Sequence, residues 1–481
     1  MASDLLVDWC TAHNGTFDRS ALTFAQTNSL GRGAFALRDL QQGHTLFTLP
    51  RHLTLSTRTS SLPSLVGGVD WKKHGLHMGW AGLILCLMWE AAQGTSSKWS
   101  TYLASLPIAF DTPMFWSSED LAQLRGTTVL DKIGKDQAEN DYFNKVVPLL
   151  KSRADLFGEE HPNPHYSLEV YHIMGSRILS RSFQVEALST IDSVDSSQTP
   201  ADEDAEMSLD DPSPHALNDS GSDEAEDYDD SDDEDNPANV AMVPLADMLN
   251  ARYGYNNAKL FYEEHHLRMA TTRSIRQGEQ IWNTYGDPPN SDLLRRYGHV
   301  DQVPLSDGGL GNPADIVEIR ADLVMATAEQ RLPQQSGSWS SERVNWWLEE
   351  GGDDVFVVDF SNELPEEMTS FVRLLMMSAP EWAKTKPKSK LPKPKVDDVV
   401  LSVVADVVRR RLSDYPTTIE DDEALLGSEK EKPISLNLKN AVVVRLGEKR
   451  ILHGLLRASG GGSKKRKADL TGADGGRAGK R

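Results

Sequence analysis

Cysteine is nearly absent from this chain: Cys10 and Cys86 are the only two in 481 residues. Thiols so far apart in sequence build neither a disulfide framework nor a four-cysteine zinc site, which fits a reducing compartment. Long apolar runs are also missing. The most apolar stretch, WAGLILCLMW at 80–89, has about half the length of a membrane span. The start of the sequence, MASDLLVDWC, carries Asp4 where a secretory leader would carry positive charge. The expectation is a soluble, intracellular protein with no membrane partner. There is no P-loop and no complete GxGxxG fingerprint, so those phosphate cradles are excluded.

Positive charge is missing from one long region. No Lys or Arg lies between Arg181 and Arg252, and residues 192–235 hold nineteen Asp or Glu. Taking those nineteen from the formal charge of −22 leaves −3, so the remainder of the chain is nearly neutral. Dense like charge with little apolar content predicts a disordered acidic insert at about 192–236. It reads either as a solvated loop or as an electrostatic docking arm for a basic partner. At the other end the sign reverses. GGGSKKRKADLTGADGGRAGKR is Gly-rich and basic, with a compact Lys464-Lys465-Arg466-Lys467 run. A disordered basic tail over 459–481 is expected. Its KKRK run suits the nuclear import machinery, with a generic solubilising tail as the plain alternative.

What is present is enough for real cores: 39% hydrophobic residues and eleven tryptophans. At this length two or three domains are expected. Residues 22–56 read as short strands: AFALRDL after Gly31 and Gly33, then TLFTLP, stopped by Pro50. From about 74 to 185 the pattern is helical, through WAGLILCLMWEAAQG, EDLAQLRGT, YFNKVVPLL and EVYHIMGSRILSRSF. After the acidic insert strand character returns. VAMVPLADMLN is an apolar run, AKLFYEEHHLRMATTRSI alternates like a hairpin, and RQGEQIWNTYGD reads as turn, strand and turn. From about 315 the chain reads as helices: ADIVEIRADLVMATAEQ, ERVNWWLEEG, EEMTSFVRLLMMSAPEW, VDDVVLSVVADVVRRRL and LKNAVVVRLGEKRILHGLLRAS. In the fourth of these Val399, Val400, Val403, Val404 and Val407 recur at helical spacing. KTKPKSKLPKPK at 384–395 reads as an exposed, extended linker. The β pattern is therefore split by a helical insertion.

Residue types narrow the chemistry less than one would want. Tyr285 and Tyr297 stand twelve residues apart near two glycines, and spacing alone reads them as packing aromatics. The histidines of HPNPH at 161–165 and the pair His265-His266 lack Cys or acidic partners in a metal-site pattern, so no metal is expected.

Taken in order, GRGAFALRDLQQG, WSTYLASLP, FWSSEDLAQLRGT, VPLADMLNA and GEQIWNTYGDPPNSDLLRRYG resemble the motifs of SET-domain protein-lysine methyltransferases of the Rubisco large-subunit methyltransferase type. The resemblance covers nearly the whole chain. It implies an α+β fold: a discontinuous β-rich SET domain over 20–300, with a helical insertion at about 57–185, followed by an all-α C-terminal substrate-binding domain over 310–458. It implies S-adenosyl-L-methionine as cofactor and methyl transfer to a lysine of a basic protein, favouring a large-subunit (60S) ribosomal protein. The alternatives are a histone or transcription factor as substrate, a histidine as acceptor, or a catalytically inactive SET-type protein-binding module. A monomer in the nucleus, and also the cytoplasm, with no direct nucleic-acid binding, completes the expectation.

Residue by residue, the resemblance makes Tyr285 the tyrosine beside the transferring methyl. Tyr297 becomes a second wall of the lysine channel and Tyr262 a third candidate. Arg32, Gly33 and Ala34 would face the cofactor through the main chain, as would Ala251. Asn250 would pair with the adenine edge, and Arg181 would bind the methionine carboxylate with its guanidinium fork. Asp247 would orient the Asn250 loop. One departure stands out: the family commonly has Asn-His where this chain has Asn250-Ala251. Main-chain contacts survive that change, and any contact that needs the imidazole does not.

Overall fold

The computed structural model describes residues 2–26, 31–159, 163–186, 236–306, 308–331, 339–428 and 432–471. The acidic insert, apart from Asn236, and the last ten residues lie outside the described residues, as do 160–162.

The N-terminal half is built on short antiparallel strands. β1 (Thr16–Phe17), β2 (Leu22–Gln26), β3 (Arg32–Ala36) and β4 (Thr45–Pro50) precede the helical insertion. β5 (Ser182–Gln184) closes it and pairs with β6 (Val240–Met242) across the acidic insert. β7 (Ala258–Tyr262) and β8 (His266–Thr271) form the expected hairpin, and β9 (Gln280–Ile281) follows. One sheet runs β1-β4-β8-β7 and a second runs β2-β3-β9, so each joins strands from either side of the insertion. In the second, Ala34 stands opposite Phe24 on one side and Ile281 on the other. The expected AFALRDL strand stops at Ala36: the chain bends at Leu37-Arg38 and meets the sheet again only through the Leu40–Ile275 bridge.

The insertion packs on these sheets as one hydrophobic core. The Ala81–Ala92 helix is apolar on all sides and buries nearly its whole length. Its Leu83, Leu85 and Leu87 share the core with Phe47 and Leu49 of β4 and Met269 of β8. The same core takes Leu6, Val7 and Cys10 from the helix Ala2–Ala12, so the N-terminal unit begins before residue 20. The Leu168–Arg181 helix is capped by Ser167, whose hydroxyl accepts from Val170 N at 3.3 Å.

β10 (Val303–Pro304) and β11 (Leu310–Gly311) form a small link. The C-terminal half then forms a second core of helices around one strand pair, β12 (Ile316–Arg320) with β13 (Val355–Asp359). This pair corrects two expectations, an unbroken helix over ADIVEIRADLVMATAEQ and an all-α C-terminal part. In Ile316–Arg320 the residues alternate, with Val317 and Ile319 fully buried, which is strand periodicity. The helix starts at Ala321. EEMTSFVRLLMMSAPEW also breaks in two, at Ser378, which forms a capping box with Glu381. The helix Asp398–Ser413 buries Val400, Val403, Val404, Val407 and Val408, while Val399 is exposed. The lysines of 384–395 are exposed, and Leu391 ties that stretch to the second core.

The last helix runs from Leu436 to Thr471, past the position where a disordered tail was expected to begin. A helix already nucleated by packing carries on across Gly460-Gly461-Gly462, which are weak helix formers, into SKKRKADL, which is richer in good ones. A third, small cluster joins the halves. Trp116, Leu124 and Val129 of the insertion meet Leu294 of the helix Asn290–Tyr297 and Ala441 and Val444 of the last helix. Polar contacts cross the same seam: Arg445 Nη1 donates to Gln123 O at 2.5 Å, and Lys132 pairs with Glu318 at 2.7 Å.

Candidate functional site

The site is assembled where β3, the 245–251 segment and the 280–285 segment converge. Gly33 allows it. A β-carbon there would lie 2.5 Å from Gln280 Nε2 and 3.0 Å from Asn250 Nδ2, so only glycine lets these amides sit against the strand. Gly31, one turn position earlier, has φ +68° and open space around it; glycine is needed there for its conformation.

Side-chain amides then lay the neighbouring segments together. Asn250 Nδ2 donates to Arg32 O at 3.2 Å, and Asn283 N donates to Asn250 O at 2.9 Å. Ala251 and Asn283 form a parallel bridge. Asn257 grips the other end: its Nδ2 donates to Gln280 O at 3.0 Å, and its Oδ1 accepts from Trp282 N at 2.7 Å. Asn250 does not end a strand as its apolar run suggested. It follows the short 3-10 turn Ala246–Met248, whose entry residue Leu245 sits at φ 72°. A buried branched residue in the left-handed region is held there by its surroundings.

Under this loop lies a buried polar triad. Tyr102, from the insertion, donates to Asp247 Oδ2 at 3.0 Å. Arg181, the last residue of the Leu168–Arg181 helix, donates from Nη1 to Asp247 O at 2.6 Å and stands 3.6 Å from Oδ2. Burial raises the Asp247 carboxyl above the usual range, with Arg181 the main opposing influence. Asp247 Oδ1 and Gln280 Nε2 are both buried and have no hydrogen-bond partner among the described residues.

Tyr285 closes the arrangement. Its hydroxyl donates to Leu249 O at 3.2 Å, and its ring stacks on Tyr297 with centroids 4.4 Å apart and planes 12° from parallel. Burial pushes the Tyr285 phenol up to about 12, with smaller and opposite influences from Arg181 and Asp247. Those influences place it in the same electrostatic neighbourhood as the triad. Tyr297 is the last residue of the helix Asn290–Tyr297, which ends on Gly298 at φ 75°.

The structure therefore brings together Arg32, Gly33, Ala34, Arg181, Asn250, Ala251, Tyr285 and Tyr297. It leaves Tyr262 out. That residue is 47% exposed at the far end of β7, opposite Leu267, while Ala258 is the residue of β7 that meets Trp282. A five-residue strand spans about 13 Å, and residues 251–257 are used in turns before it starts. Sequence reasoning passed over Tyr102 and Gln280, although both lie in the motif stretches. Their surroundings come from remote parts of the chain: Tyr102 meets Asp247 145 residues away, and the Gln280 amide lies against Gly33. Asp247 was expected to orient the loop, and its geometry accords with that.

The arrangement suits a zwitterionic nucleoside ligand. The unpartnered Gln280 amide and the Asn250 amide can meet a purine edge or ribose, the bare Gly33 strand admits close approach, and Arg181 can meet a carboxylate. Among the described residues no group of three or more His, Cys, Asp or Glu side chains could hold a metal ion, and no helix is long and apolar enough to cross a membrane.

Residues 329–452 match the family model for the Rubisco LSMT substrate-binding domain. N-lysine methyltransferase SETD6 of Rattus norvegicus is 28% identical over 472 residues, spanning 93% of this chain and 88% of that protein. Ribosomal lysine N-methyltransferase 4 of Saccharomyces cerevisiae is 30% identical over 274 residues, 56% of this chain and 49% of that protein. The structure of Rubisco LSMT bound to AdoMet superposes with a TM-score of 0.65 at 17% identity, covering 99% of this chain and 98% of that one. The SET domain of LSMT bound to lysine and AdoHcy gives the same score and identity over 98% and 96%.

Proposed function

We infer that this chain is a SET-type protein-lysine N-methyltransferase that uses S-adenosyl-L-methionine, and we propose a large-subunit ribosomal protein as its substrate. The observation that carries the first statement is the convergence of Gly33, Asn250, Arg181 and Tyr285 in a fold that matches Rubisco LSMT over its full length. The substrate reading is supported by the name of the yeast relative and by a nearly neutral body that does not repel a basic protein. The Lys464–Lys467 run supports a nuclear setting.

When bound, the cofactor supplies a methyl group on a sulfonium, and the residues of this chain hold and orient the two reactants. Arg181, steadied by Asp247, would hold the carboxylate, while Asn250 and Gln280 would hold the nucleoside beside Gly33. The acceptor must arrive as a neutral amine, yet a free lysine with a pKa of about 10.4 is almost fully protonated at neutral pH. A buried aromatic channel disfavours the ammonium and lowers that value. Tyr285 does not take the proton. With its phenol pushed up to about 12 it stays neutral across the physiological range and acts as a fixed dipole that orients the amine and the methyl. Rings 4.4 Å apart leave no room for an aliphatic chain between them. Tyr285 and Tyr297 therefore form one continuous wall, and the lysine runs along it. Positioning of this kind can supply up to about 7–11 kcal/mol of the acceleration.

The test is incubation of the purified protein with labelled S-adenosylmethionine and an extract from cells lacking it, followed by mass spectrometry of the labelled band. Label on a lysine of a large-subunit ribosomal protein is expected. Label on histones or a transcription factor instead would move the substrate, label on histidine would change the acceptor, and no transfer to any protein would leave a binding module.

A further inference from the structure

We propose that the loop 106–116 is a docking surface for the methyl-accepting protein, taking an apolar side chain that flanks the target lysine. This rests on the methyltransferase reading above and adds a substrate preference to it.

The loop bridges the two helices that carry site residues. At its start, Arg177 Nε donates to Pro107 O at 3.0 Å, and Arg177 lies one turn before Arg181. At its end, the main chain abuts Gly298, the residue after Tyr297: a β-carbon on Gly298 would lie 3.0 Å from Asp111 C and 3.3 Å from Thr112 N. Trp116 donates to Asp111 O at 2.9 Å and packs with Leu294 of the Tyr297 helix. The loop is thus fixed at both ends, one at the Arg181 helix and one at the Tyr297 helix.

Two of its apolar residues nevertheless face outward. Ile108 is 79% exposed and Phe115 41% exposed, and Phe115 stacks on Phe110 with centroids 5.8 Å apart. Rigid exposed aromatics beside a binding site mark a contact surface for a partner. Charge says which partner. Asp111, whose main chain abuts Gly298 next to Tyr297, is exposed within the loop, so this edge is apolar and acidic together. That combination complements a segment bearing a lysine next to an apolar residue.

The experiment uses the full chain, labelled S-adenosylmethionine and a peptide library with a central lysine and randomised flanks. The wild type is expected to enrich an apolar residue at one flanking position. Ile108→Ser and Phe115→Ser are expected to lose that enrichment and to raise KM for the selected peptide about tenfold. Ile108→Ser is the safer variant for folding, since the side chain is mostly in solvent, and Val69→Ser, at a residue 83% exposed outside this loop, serves as control. Transfer without apolar enrichment, or enrichment that survives both substitutions, overturns the proposal alone. Absence of transfer to every acceptor brings down the methyltransferase reading and this proposal with it. Concentration-dependent dimerisation abolished by the loop variants, with peptide selection intact, would assign the surface to a second copy and also overturn it.

Discussion

Two buried aspartates mark the difference between the two halves of the molecule. Asp422, in the C-terminal half, is 1% exposed and fully served. Arg445 Nη2 reaches Oδ1 at 2.7 Å, Lys449 Nζ reaches Oδ2 at 2.7 Å, and Thr417 Oγ1 donates to Oδ1 at 2.8 Å. Asp247, beneath the site, is as deeply enclosed, yet Tyr102 and Arg181 leave its Oδ1 without a partner among the described residues. A buried carboxylate whose lone pairs are all satisfied by the chain holds structure together. One that is left short keeps an acceptor free for a further donor, from water or from a ligand. The Asp422 cluster is thus completed by the chain itself, whereas Asp247 keeps one acceptor free beneath the site.

The comparison can be broken at either end. The largest expected effect is at Asp422. Replacing it with Asn leaves Arg445 and Lys449 buried without the one carboxylate they share, and removing one partner of a buried ionic cluster costs about 3–5 kcal/mol. Thermal unfolding should show a large fall in Tm, with cofactor affinity of the folded fraction unchanged; a shift within a degree would end the structural reading of this cluster. Next is Tyr285→Phe, which deletes the hydroxyl bonded to Leu249 O. Turnover should drop by about a hundredfold or more, within the range for loss of one oriented polar group in an active site, while cofactor affinity by calorimetry holds. Equal losses in both would make the residue structural.

Gly33→Ala should act on cofactor and little on Tm. The added methyl displaces the Gln280 and Asn250 amides, and KM for S-adenosylmethionine should rise about tenfold, a loss of about 1.4 kcal/mol. An unchanged KM would mean the ligand does not use this strand. The smallest effect is a pH dependence at the seam between the halves. Burial pushes the Glu448 carboxyl up to about 7, with Arg411 opposing, and Tyr415 donates to it at 2.5 Å. The folded state therefore holds this proton more tightly than the unfolded chain. Its stabilisation is complete below the unfolded value of about 4.3 and is lost as pH rises through about 7. Glu448→Gln should flatten the fall in Tm between pH 5 and 8 by a few degrees; an unaltered slope would show that Glu448 titrates normally.

Much of the C-terminal half was legible because its signals are local. The valine spacing of Asp398–Ser413 reports a helix directly, and only the boundary residue Val399 faces outward. Ile316–Arg320 was misread because five residues of alternation are too short to outweigh the helical pattern that follows at Ala321. In the N-terminal half the strand hairpin β7–β8 was plain, but the site was not. Tyr285 and Asn250 came from resemblance to a family, since nothing in their spacing distinguishes them from packing residues. Tyr102 reaches Asp247 across 145 residues, and Gly33 matters only because two amides from 217 to 247 residues away press on it. Such contacts are created by tertiary folding. Tyr262, a candidate by the same resemblance, stands exposed at the far end of β7, where the turns between Asn250 and that strand carry it.

The small cluster of Trp116, Leu294, Ala441 and Val444 bears on how this protein can be re-engineered. It is shared property: one wall comes from the insertion, one from the helix that ends on Tyr297 and one from the last helix of the chain. Grafting the C-terminal half of a relative onto this N-terminal half, by a cut anywhere between β11 and β12, would keep both large cores whole and still discard two of the five buried residues that cluster with Leu294 of the Tyr297 helix. A working chimera must carry Ala441 and Val444 with it, so the portable unit is the seam and not the domain.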